Sequence, residues 1–163
     1  MKKIGLLSDT HGYWDEKFNS YFSPCDEIWH AGDIGSADVL NNLELIGPVR
    51  AVHGNIDGYP IRTQCPKHLR FRMEDLDVWI THIGGYPGKY APEVRPEIFH
   101  NPPGLFICGH SHILKVQYDP RLRLLHINPG AAGKQGFHQL RTIIRFCIDG
   151  KDIRDLEVIE FAG

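Results

Sequence analysis

The chain has 163 residues, a usual length for one domain, so we predict a single domain over residues 1–163. Its apolar fraction of 42%, charged fraction of 23% and net charge of −2 argue against a dedicated binder of nucleic acid or membrane surfaces. No apolar run approaches the ~18–20 residues of a membrane span, no signal-peptide pattern follows Met1, and the four cysteines are scattered. We therefore expect a cytoplasmic protein with reduced thiols. The ten histidines stand out, because histidine is the commonest metal ligand.

The first third of the chain alternates short apolar runs with helical patterns. We predict strands over 4–7, 27–30 and 49–52, and helices over 14–22 and 37–46. Ser36 is the expected N-cap of the second helix, and Gly47-Pro48 is its stop signal. Alternating strands and helices are typical of βαβ units, so this part predicts a parallel sheet.

The rest of the chain is rich in predicted strands. They cover residues 69–73, 78–81, 105–108, 116–118, 122–127, 142–148 and 156–161. Only residues 92–99 have a helical pattern, and Pro96 inside it is expected to shorten or kink the helix. The chain is thus α/β at first and strand-rich later, which predicts a mixed sheet or two sheets in layers.

Five predicted strands are each followed at once by polar side chains. These strand ends carry Ser8-Asp9-Thr10-His11, His30-Ala31-Gly32-Asp33, His53-Gly54-Asn55, Thr81-His82 and Cys108-Gly109-His110-Ser111-His112. Because open α/β sheets bind ligands at the carboxyl ends of their strands, we expect these segments to form one site.

The chemistry of these segments favours a metal site over a nucleophile site. The side chains of metal-ligand type are Asp9, His11, Asp33, Asn55, His82, His110 and His112. Carboxylate, imidazole and amide groups suit Mn, Fe, Ni or Zn better than Mg or Ca. So many ligands suit two ions that share a carboxylate, and such a pair can clamp both oxygens of a phosphoryl transfer. We expect Asp9 with His11, and His110 with His112, to lie on extended backbone, where residues two apart point to one side.

The same residues resemble a known family. The order D-x-H at Asp9, G-D at Asp33, G-N at Asn55, a lone His82 and G-H-x-H at His110 is similar to that of the calcineurin-like metallophosphoesterases. The short length and Asn128-Pro129-Gly130 resemble its small phosphodiesterase branch, which includes a retromer subunit. The resemblance covers residues 4–133 and implies a four-layer α-β-β-α sandwich, with two mixed β-sheets flanked by helices.

The resemblance also implies roles for the individual residues. It places Asp9, His11, Asp33 and His112 on one divalent ion, and it makes Asp33 a bridge to a second ion that Asn55, His82 and His110 complete. A bridging hydroxide would attack phosphorus without a covalent enzyme intermediate. Asp33, Asn55 and His82 would then count as catalytic, because the ions and imidazoles stabilise charge in the transition state.

One departure from the family pattern bears on the substrate. Many family members have His after the Asn of G-N, where it protonates the leaving oxygen, whereas this chain has Ile56. Loss of general acid catalysis typically costs about 10²–10⁴-fold and matters least for diesters or acidic leaving alcohols. The sequence therefore favours small phosphodiesters over monoesters. Two further departures, Ile83 and Ala131, replace a frequent Gly and a frequent Ser and change no ligand.

Further residues are candidates for a supporting role. Asp57, Lys89 and Asn128 are candidates for contact with the substrate or with the metal ligands, although a turn is the default interpretation of both Asp57 and Asn128. His30 and His53 lie next to the predicted site, and the sequence leaves their roles open. The other histidines are expected to be structural or exposed.

Two alternative functions remain on the same sequence. One is a scaffold or binding protein with a catalytically weak site. The presence of a ligand-type residue at every expected position argues against this alternative. The other is a phosphomonoesterase or nuclease; the chain has no evident basic groove, so we expect a small phosphoester substrate, no nucleic acid and no membrane partner. Homo-oligomer formation is left open.

Overall fold

The structure is a computed structural model that describes residues 1–138 and 140–162. In chain order the elements are β1 (Lys2–Leu7), α1 (Lys17–Phe22), β2 (Glu27–His30), α2 (Ala37–Ile46), β3 (Val49–Ala51), α3 (Ile61–Gln64), β4 (His68–Met73), β5 (Leu76–Thr81), β6 (Gly85–Tyr86), β7 (Lys89–Tyr90), α4 (Arg95–His100), β8 (Leu105–Ile107), β9 (Lys115–Asp119), β10 (Leu124–Asn128), β11 (Leu140–Asp149) and β12 (Asp152–Ala162).

The strands of the described residues form two five-stranded sheets and a small hairpin. The first sheet has the order β12-β11-β1-β2-β3, the second has the order β4-β5-β8-β10-β9, and β6 pairs with β7. Strands β1, β2 and β3 run parallel, and so do β5, β8 and β10, while the remaining neighbours are antiparallel. Both sheets are therefore mixed, and the parallel strands of each sheet end at one common edge.

The sheets pack face to face and carry helices on their outer faces. The core between them contains Leu6, Trp29 and Phe146 of the first sheet and Ile80 and Ile107 of the second. Helices α1 and α2 cover the first sheet through a second apolar cluster, and α4 covers the second sheet through a third. The predicted four-layer α-β-β-α sandwich is confirmed.

The first helices show how local chemistry sets the element boundaries. Ser36 caps α2 as predicted, since its Oγ accepts a hydrogen bond from the Asp38 N–H at 3.2 Å. The helix predicted over 14–22 begins at Lys17, because the Asp15 carboxylate accepts the Lys17 N–H at 2.9 Å. Trp14 precedes the helix and packs edge-on against Phe18 with 5.2 Å between the ring centroids. The helical spacing of apolar residues from Trp14 onwards therefore reflects side-chain packing, which begins before the helix itself.

The later elements include one helix that is shorter than its apolar pattern and several elements that the sequence did not indicate. The helix predicted over 92–99 is shortened, as expected, and begins at Arg95. Pro96 lies in its first turn, where its missing N–H has no helical partner to lose, so it does not kink the helix. Helix α3 and the β6–β7 hairpin were not predicted, because they are too short to show a period. No helix in the described part of the chain is long and apolar enough to cross a membrane. All four cysteines are free thiols.

Candidate metal centre

The candidate ligands lie in tight turns beyond the strands, not on extended backbone. Asp9, His11, His110 and His112 have φ values of 54°, 47°, 73° and 62°, so the prediction that each pair lies on extended backbone was wrong. Strand β1 ends at Leu7 and β8 at Ile107, two or more residues earlier. Left-handed backbone at residues other than glycine costs of the order of 1–3 kcal/mol and persists only where the surrounding structure fixes it.

Backbone hydrogen bonds between neighbouring turns fix this conformation. The N–H groups of Asp9 and His11 donate to the carbonyl oxygens of Gly32 and Asp33 at 2.9 and 3.0 Å. The Gly109 N–H donates to the His82 carbonyl oxygen at 3.0 Å. These bonds connect the turns within each sheet, and the His110 N–H, which donates to Asp9 Oδ2 at 3.1 Å, connects the turns of one sheet to those of the other. The side chains therefore have a fixed relative geometry.

The side chains of these turns form two adjacent groups that could each hold a metal ion. The first group is Asp9, His11 and His112, and the second is Asp33, His82 and His110; the ligand atoms of each lie within 4.8 Å of one another. Asp33 Oδ2 connects the groups, since it lies 3.1 Å from His82 Nε2 and 3.6 Å from His11 Nε2. We call the two groups together with Asn55 the ligand cluster.

Asn55 completes the set that the sequence singled out. Its Oδ1 lies 3.0 Å from His110 Nδ1, so all the predicted ligands converge. Asp9, Asp33 and His82 are buried, whereas Asn55 and His110 are exposed. The ligand cluster is therefore closed at its base and open to solvent on the Asn55 side, where a substrate can approach.

The donor atoms of the cluster fit a divalent metal. Asp9 Oδ1, His11 Nε2 and His82 Nε2 are buried and have no hydrogen-bond partner within the described residues. The His82 Nδ1–H donates to the Ala31 carbonyl oxygen at 2.8 Å, so the Nε2 lone pair of the neutral ring is left facing the two carboxylates. A buried polar atom without a partner costs about 1–3 kcal/mol, and a cation bound by these atoms would remove that cost.

The electrostatics of the cluster also favour a cation. Burial by itself raises the pKa of Asp9, but interactions with His11 and His112 outweigh it and hold that pKa well below its usual range. Burial likewise opposes ionisation of Asp33, and the neighbouring His82 keeps its pKa low. Contact with Asp9 raises the pKa of His11. Two ionised carboxylates thus lie among imidazoles that gain protons when no other cation is present.

His30 supports two of the turns from below. Its Nδ1 accepts the Gly32 N–H at 3.0 Å, so its Nε2–H must donate to Thr10 Oγ1, also at 3.0 Å. The Thr10 hydroxyl in turn donates to the Ile34 carbonyl oxygen at 2.8 Å. Burial lowers the pKa of His30 to about 4, so the ring is neutral near pH 7. His30 therefore positions the backbone on either side of the ligands and does not itself reach the centre.

Acidification should destabilise the metal-free protein through its two buried neutral histidines. Burial lowers the pKa values of His30 and His126 from 6.5 to about 4 in the folded state. Between these two pKa values the unfolded chain binds more protons than the folded chain. The contribution of each histidine to the free energy of unfolding is therefore fully present above pH 6.5 and falls by about 3 kcal/mol towards pH 4. Urea denaturation with chelator at pH 7 and pH 4 measures the loss. His126→Leu should show a smaller pH dependence than wild type, and an equal dependence would contradict this origin.

Asp57 joins the turn that holds Asp33 to the turn that holds Asn55. The carboxylate is buried and accepts the N–H groups of Ile34, Gly35 and Gly54 at 3.1, 2.8 and 2.9 Å. All these acceptor contacts point to backbone, so Asp57 is a positioning residue and does not border the open side of the cluster.

Asp57→Ala should lower stability and metal affinity together. The substitution leaves buried N–H groups without an acceptor, at about 1–3 kcal/mol each. Residues that orient metal ligands typically contribute about 10–100-fold in affinity. Thermal unfolding and Mn²⁺ titration calorimetry test both effects, with the exposed Asp38→Ala as the control. Unchanged Mn²⁺ affinity in a folded variant would show that Asp57 does not position the ligands.

Of the other two residues predicted to support the site, Asn128 lies in it and Lys89 lies outside it. Asn128 is buried at the end of β10, and its Nδ2 donates to the Gly109 carbonyl oxygen at 3.0 Å, which fixes the turn that carries His110 and His112. Lys89 lies on β7 and lines a separate cavity with Arg95 and Arg121. The structure thus does not bring Lys89 to the ligand cluster.

Two cavities border the second ligand group on opposite sides of Ile83. The first, the basic cavity, has a volume of about 220 Å³ and is lined by His53, Gly54, Asn55, Arg62, Lys67, Thr81, His82 and Ile83. The second, the Tyr86 cavity, has a volume of about 230 Å³ and is lined by Ile83, Gly84, Gly85, Tyr86, Ala91, Gly109, His110, Ser111, Ile113, Lys115, His126 and Asn128. Ile83, which departs from the family pattern, therefore separates them.

The structure also gives contacts for two histidines near the cluster whose roles the sequence did not indicate. His53 donates its Nδ1–H to the Cys65 carbonyl oxygen at 2.9 Å, and its Nε2 lies 3.4 Å from Arg62 Nη1. The His138 ring lies edge-on to His112, with 5.3 Å between centroids. The sequence placed His53 beside the site without a role, whereas His138 lies 26 residues from His112, so only the fold could bring it to the cluster.

The sequence is similar to a known domain family and to known proteins. The domain model described as "Calcineurin-like phosphoesterase superfamily domain" matches residues 1–151. A "Probable metallophosphoesterase" of Methanothermobacter thermautotrophicus is 33% identical over 138 residues, which cover 78% of this chain and 76% of that protein. The matched region contains every member of the ligand cluster.

Solved structures show the same fold. A single mutant of Vps29 from Entamoeba histolytica has a TM-score of 0.75 at 13% identity, and the match covers 98% of this chain and 99% of that one. A novel archaeal phosphodiesterase has a TM-score of 0.73 at 24% identity, covering 96% and 99%. The calcineurin-like family binds divalent metals, in agreement with the donor atoms described above. The chain belongs to the calcineurin-like phosphoesterase superfamily.

Proposed function

We propose that the protein is a metal-dependent phosphodiesterase that acts on small substrates and uses two divalent ions held by the ligand cluster. The convergence of two carboxylates, four imidazoles and an amide around buried, unpartnered donor atoms carries this proposal. Imidazole and carboxylate ligands favour Mn, Ni, Fe or Zn. Ions of this kind activate a water molecule and neutralise the charge of phosphoryl oxygens.

In this proposal the residues of the ligand cluster have separate roles. Asp33 contacts members of both groups, so its carboxylate is the shared ligand in this proposal. The His82 Nδ1–H bond to Ala31 fixes the orientation of the ring, and the exposed Asn55 faces the side from which the phosphoester approaches. Asp33, Asn55 and His82 thereby stabilise the charge of the transition state and keep the reacting phosphoryl group in position.

The surroundings of the cluster favour diesters over monoesters. Ile56 lies beside Asp33, since its N–H donates to Asp33 Oδ1 at 3.1 Å, and its side chain has no proton to give a leaving oxygen. A monoester needs space for one substituent, whereas a diester needs space for two. The basic cavity and the Tyr86 cavity, on either side of Ile83, supply that space.

The Mn²⁺- or Ni²⁺-loaded protein should hydrolyse bis(4-nitrophenyl) phosphate at least about tenfold faster than 4-nitrophenyl phosphate, because the monoester can occupy only one of the two cavities and its leaving oxygen receives no proton from Ile56. Release of 4-nitrophenolate measures both rates. A chelated sample of the same protein is the control. Equal rates, or a faster monoester, would contradict the diester preference, and no metal-dependent hydrolysis of either ester would favour the scaffold alternative.

A further inference from the structure

The Tyr86 cavity lies against the ligand cluster on the outer face of the second sheet. His110 forms part of its wall, so a group bound there is next to the candidate metal centre. Its volume of about 230 Å³ is smaller than the ~300–1,000 Å³ of pockets that hold a whole small ligand. The cavity therefore suits one substituent of a molecule whose phosphate lies at the cluster.

The walls of this cavity combine polar side chains with an apolar part that includes an accessible aromatic ring. Ile83, Tyr86 and Ile113 are 42%, 41% and 63% exposed, which is unusual for large apolar side chains grouped around one opening. Lys115 Nζ lies 4.8 Å from the centre of the Tyr86 ring, a cation–π contact that holds the ring in place. A flat ring entering the cavity would thus meet a pre-arranged aromatic surface.

A buried polar group lies in the same cavity. His126 is 1% exposed and lines the cavity from β10, with its Nδ1 3.2 Å from the Phe106 carbonyl oxygen. Because a carbonyl oxygen only accepts, Nδ1 carries the proton and the neutral ring keeps a lone pair on Nε2. That Nε2 has no hydrogen-bond partner in the described part of the chain. Burial lowers the pKa of His126 to about 4, which keeps the ring neutral near pH 7.

We propose that the Tyr86 cavity binds an aromatic substituent of the phosphoester, with the ring against Tyr86 and Ile113 and with an N–H or O–H of that ring donated to His126 Nε2. This inference rests on the proposed function, because it places the phosphate at the ligand cluster. It adds the substrate class: a phosphodiester with one flat aromatic arm that carries a hydrogen-bond donor. An apolar arm without a donor would leave His126 Nε2 without a hydrogen bond. His126 therefore favours an arm whose N–H or O–H lies within hydrogen-bond distance of Nε2.

Binding of phosphonates to the Mn²⁺-loaded protein tests the inference by titration calorimetry. Phenylphosphonate should bind about tenfold more tightly than methylphosphonate, because a ring of that size loses its contact with water. Either 3- or 4-hydroxyphenylphosphonate should bind about fivefold more tightly still, since its O–H reaches His126. In the protein loaded with diamagnetic Zn²⁺, addition of that ligand should also shift the ¹⁵N resonance of His126 Nε2.

Two variants and one control separate the contributions. Tyr86→Ala, at an exposed side chain, should reduce the preference for phenyl over methyl to about twofold. His126→Leu should remove the preference for the hydroxyphenyl ligand and leave the phenyl preference in place. Tyr118→Ala removes an exposed aromatic side chain that lines a different cavity, and it should change nothing.

Equal affinities for methyl and phenyl ligands, or equal losses in Tyr86→Ala and Tyr118→Ala, would overturn the inference. Hydrolysis of bis(4-nitrophenyl) phosphate is measured on the same samples. A protein that hydrolyses the diester but shows no ring preference retains the proposed function and loses this inference. A protein that shows the ring preference without metal-dependent hydrolysis retains the cavity assignment and loses the proposed function.

Discussion

Asp33→Asn should lower metal-dependent phosphodiester hydrolysis by about 10³-fold, the upper range for loss of one group that stabilises a charged transition state. Asp33 Oδ2 lies 3.1 Å from His82 Nε2 and 3.6 Å from His11 Nε2, and so contacts members of both groups. Asparagine keeps the size of the side chain but removes its charge, and its NH₂ group has no lone pair for a metal. The steady-state rate at saturating Mn²⁺ measures the effect.

The stability of the same variant gives an independent test. An ion that binds only the folded chain adds about 2.7 kcal/mol at a hundredfold excess over its Kd. For a chain of this size, that gain corresponds to a rise of roughly 5–10 °C in Tm. Wild type should show this rise with Mn²⁺, and Asp33→Asn should show much less. Asp38→Asn, at an exposed position of α2, is the matched control. An active Asp33→Asn variant would exclude Asp33 as a shared ligand.

Gly54→Ala should lower stability by about 3 kcal/mol and remove most of the activity, because the new Cβ has no room. It would overlap the Asp33 Oδ1 and backbone nitrogen, and it would lie 2.8 Å from Asp33 Cγ. The Asp33 side chain is held by the Ile56 N–H and by contacts with histidines, so it can move only by leaving the cluster. Thermal unfolding should show a fall in Tm of roughly 10 °C.

Gly58→Ala provides the control for that substitution. A Cβ at Gly58 meets no other atom within 4 Å, and the residue lies four positions from Gly54 on the same segment of chain. This variant should keep wild-type activity and stability to within about 0.5 kcal/mol. Equal effects of the two substitutions would show that general rigidity, and not the close approach to Asp33, makes residue 54 a glycine.

The sequence was sufficient for the fold class and for the set of candidate ligands. Alternating strands and helices predicted the parallel strands, and the polar residues that follow five strands predicted a common site. This worked because parallel strands necessarily end at the same edge of a sheet, so residues far apart in sequence meet there. The local cap at Ser36 was predictable for a similar reason, since its hydrogen bond involves only nearby residues.

The conformation of the ligand turns was not predictable in the same way. Asp9 and His11 occupy left-handed backbone because hydrogen bonds to the turn after β2 hold them there, and those partners lie more than 20 residues away. Pro96 was assigned to the interior of its helix because the apolar spacing begins before the helix does. Long-range contacts thus decided the backbone of Asp9 and His11, whereas the place of Pro96 in the first turn of α4 decided its effect.

By itself, the sequence determined the chemistry available to this protein: carboxylates, imidazoles and an amide at strand ends, and no proton donor at Ile56. Only the tertiary structure decided how these groups are used. It grouped the ligands around unpartnered donor atoms, made Asp57 and Asn128 supports of the turns, moved Lys89 out of the site and left His126 facing a cavity. The physical reason is that residue type is a local property, whereas burial, hydrogen-bond partnership and neighbouring charge depend on contacts between distant parts of the chain.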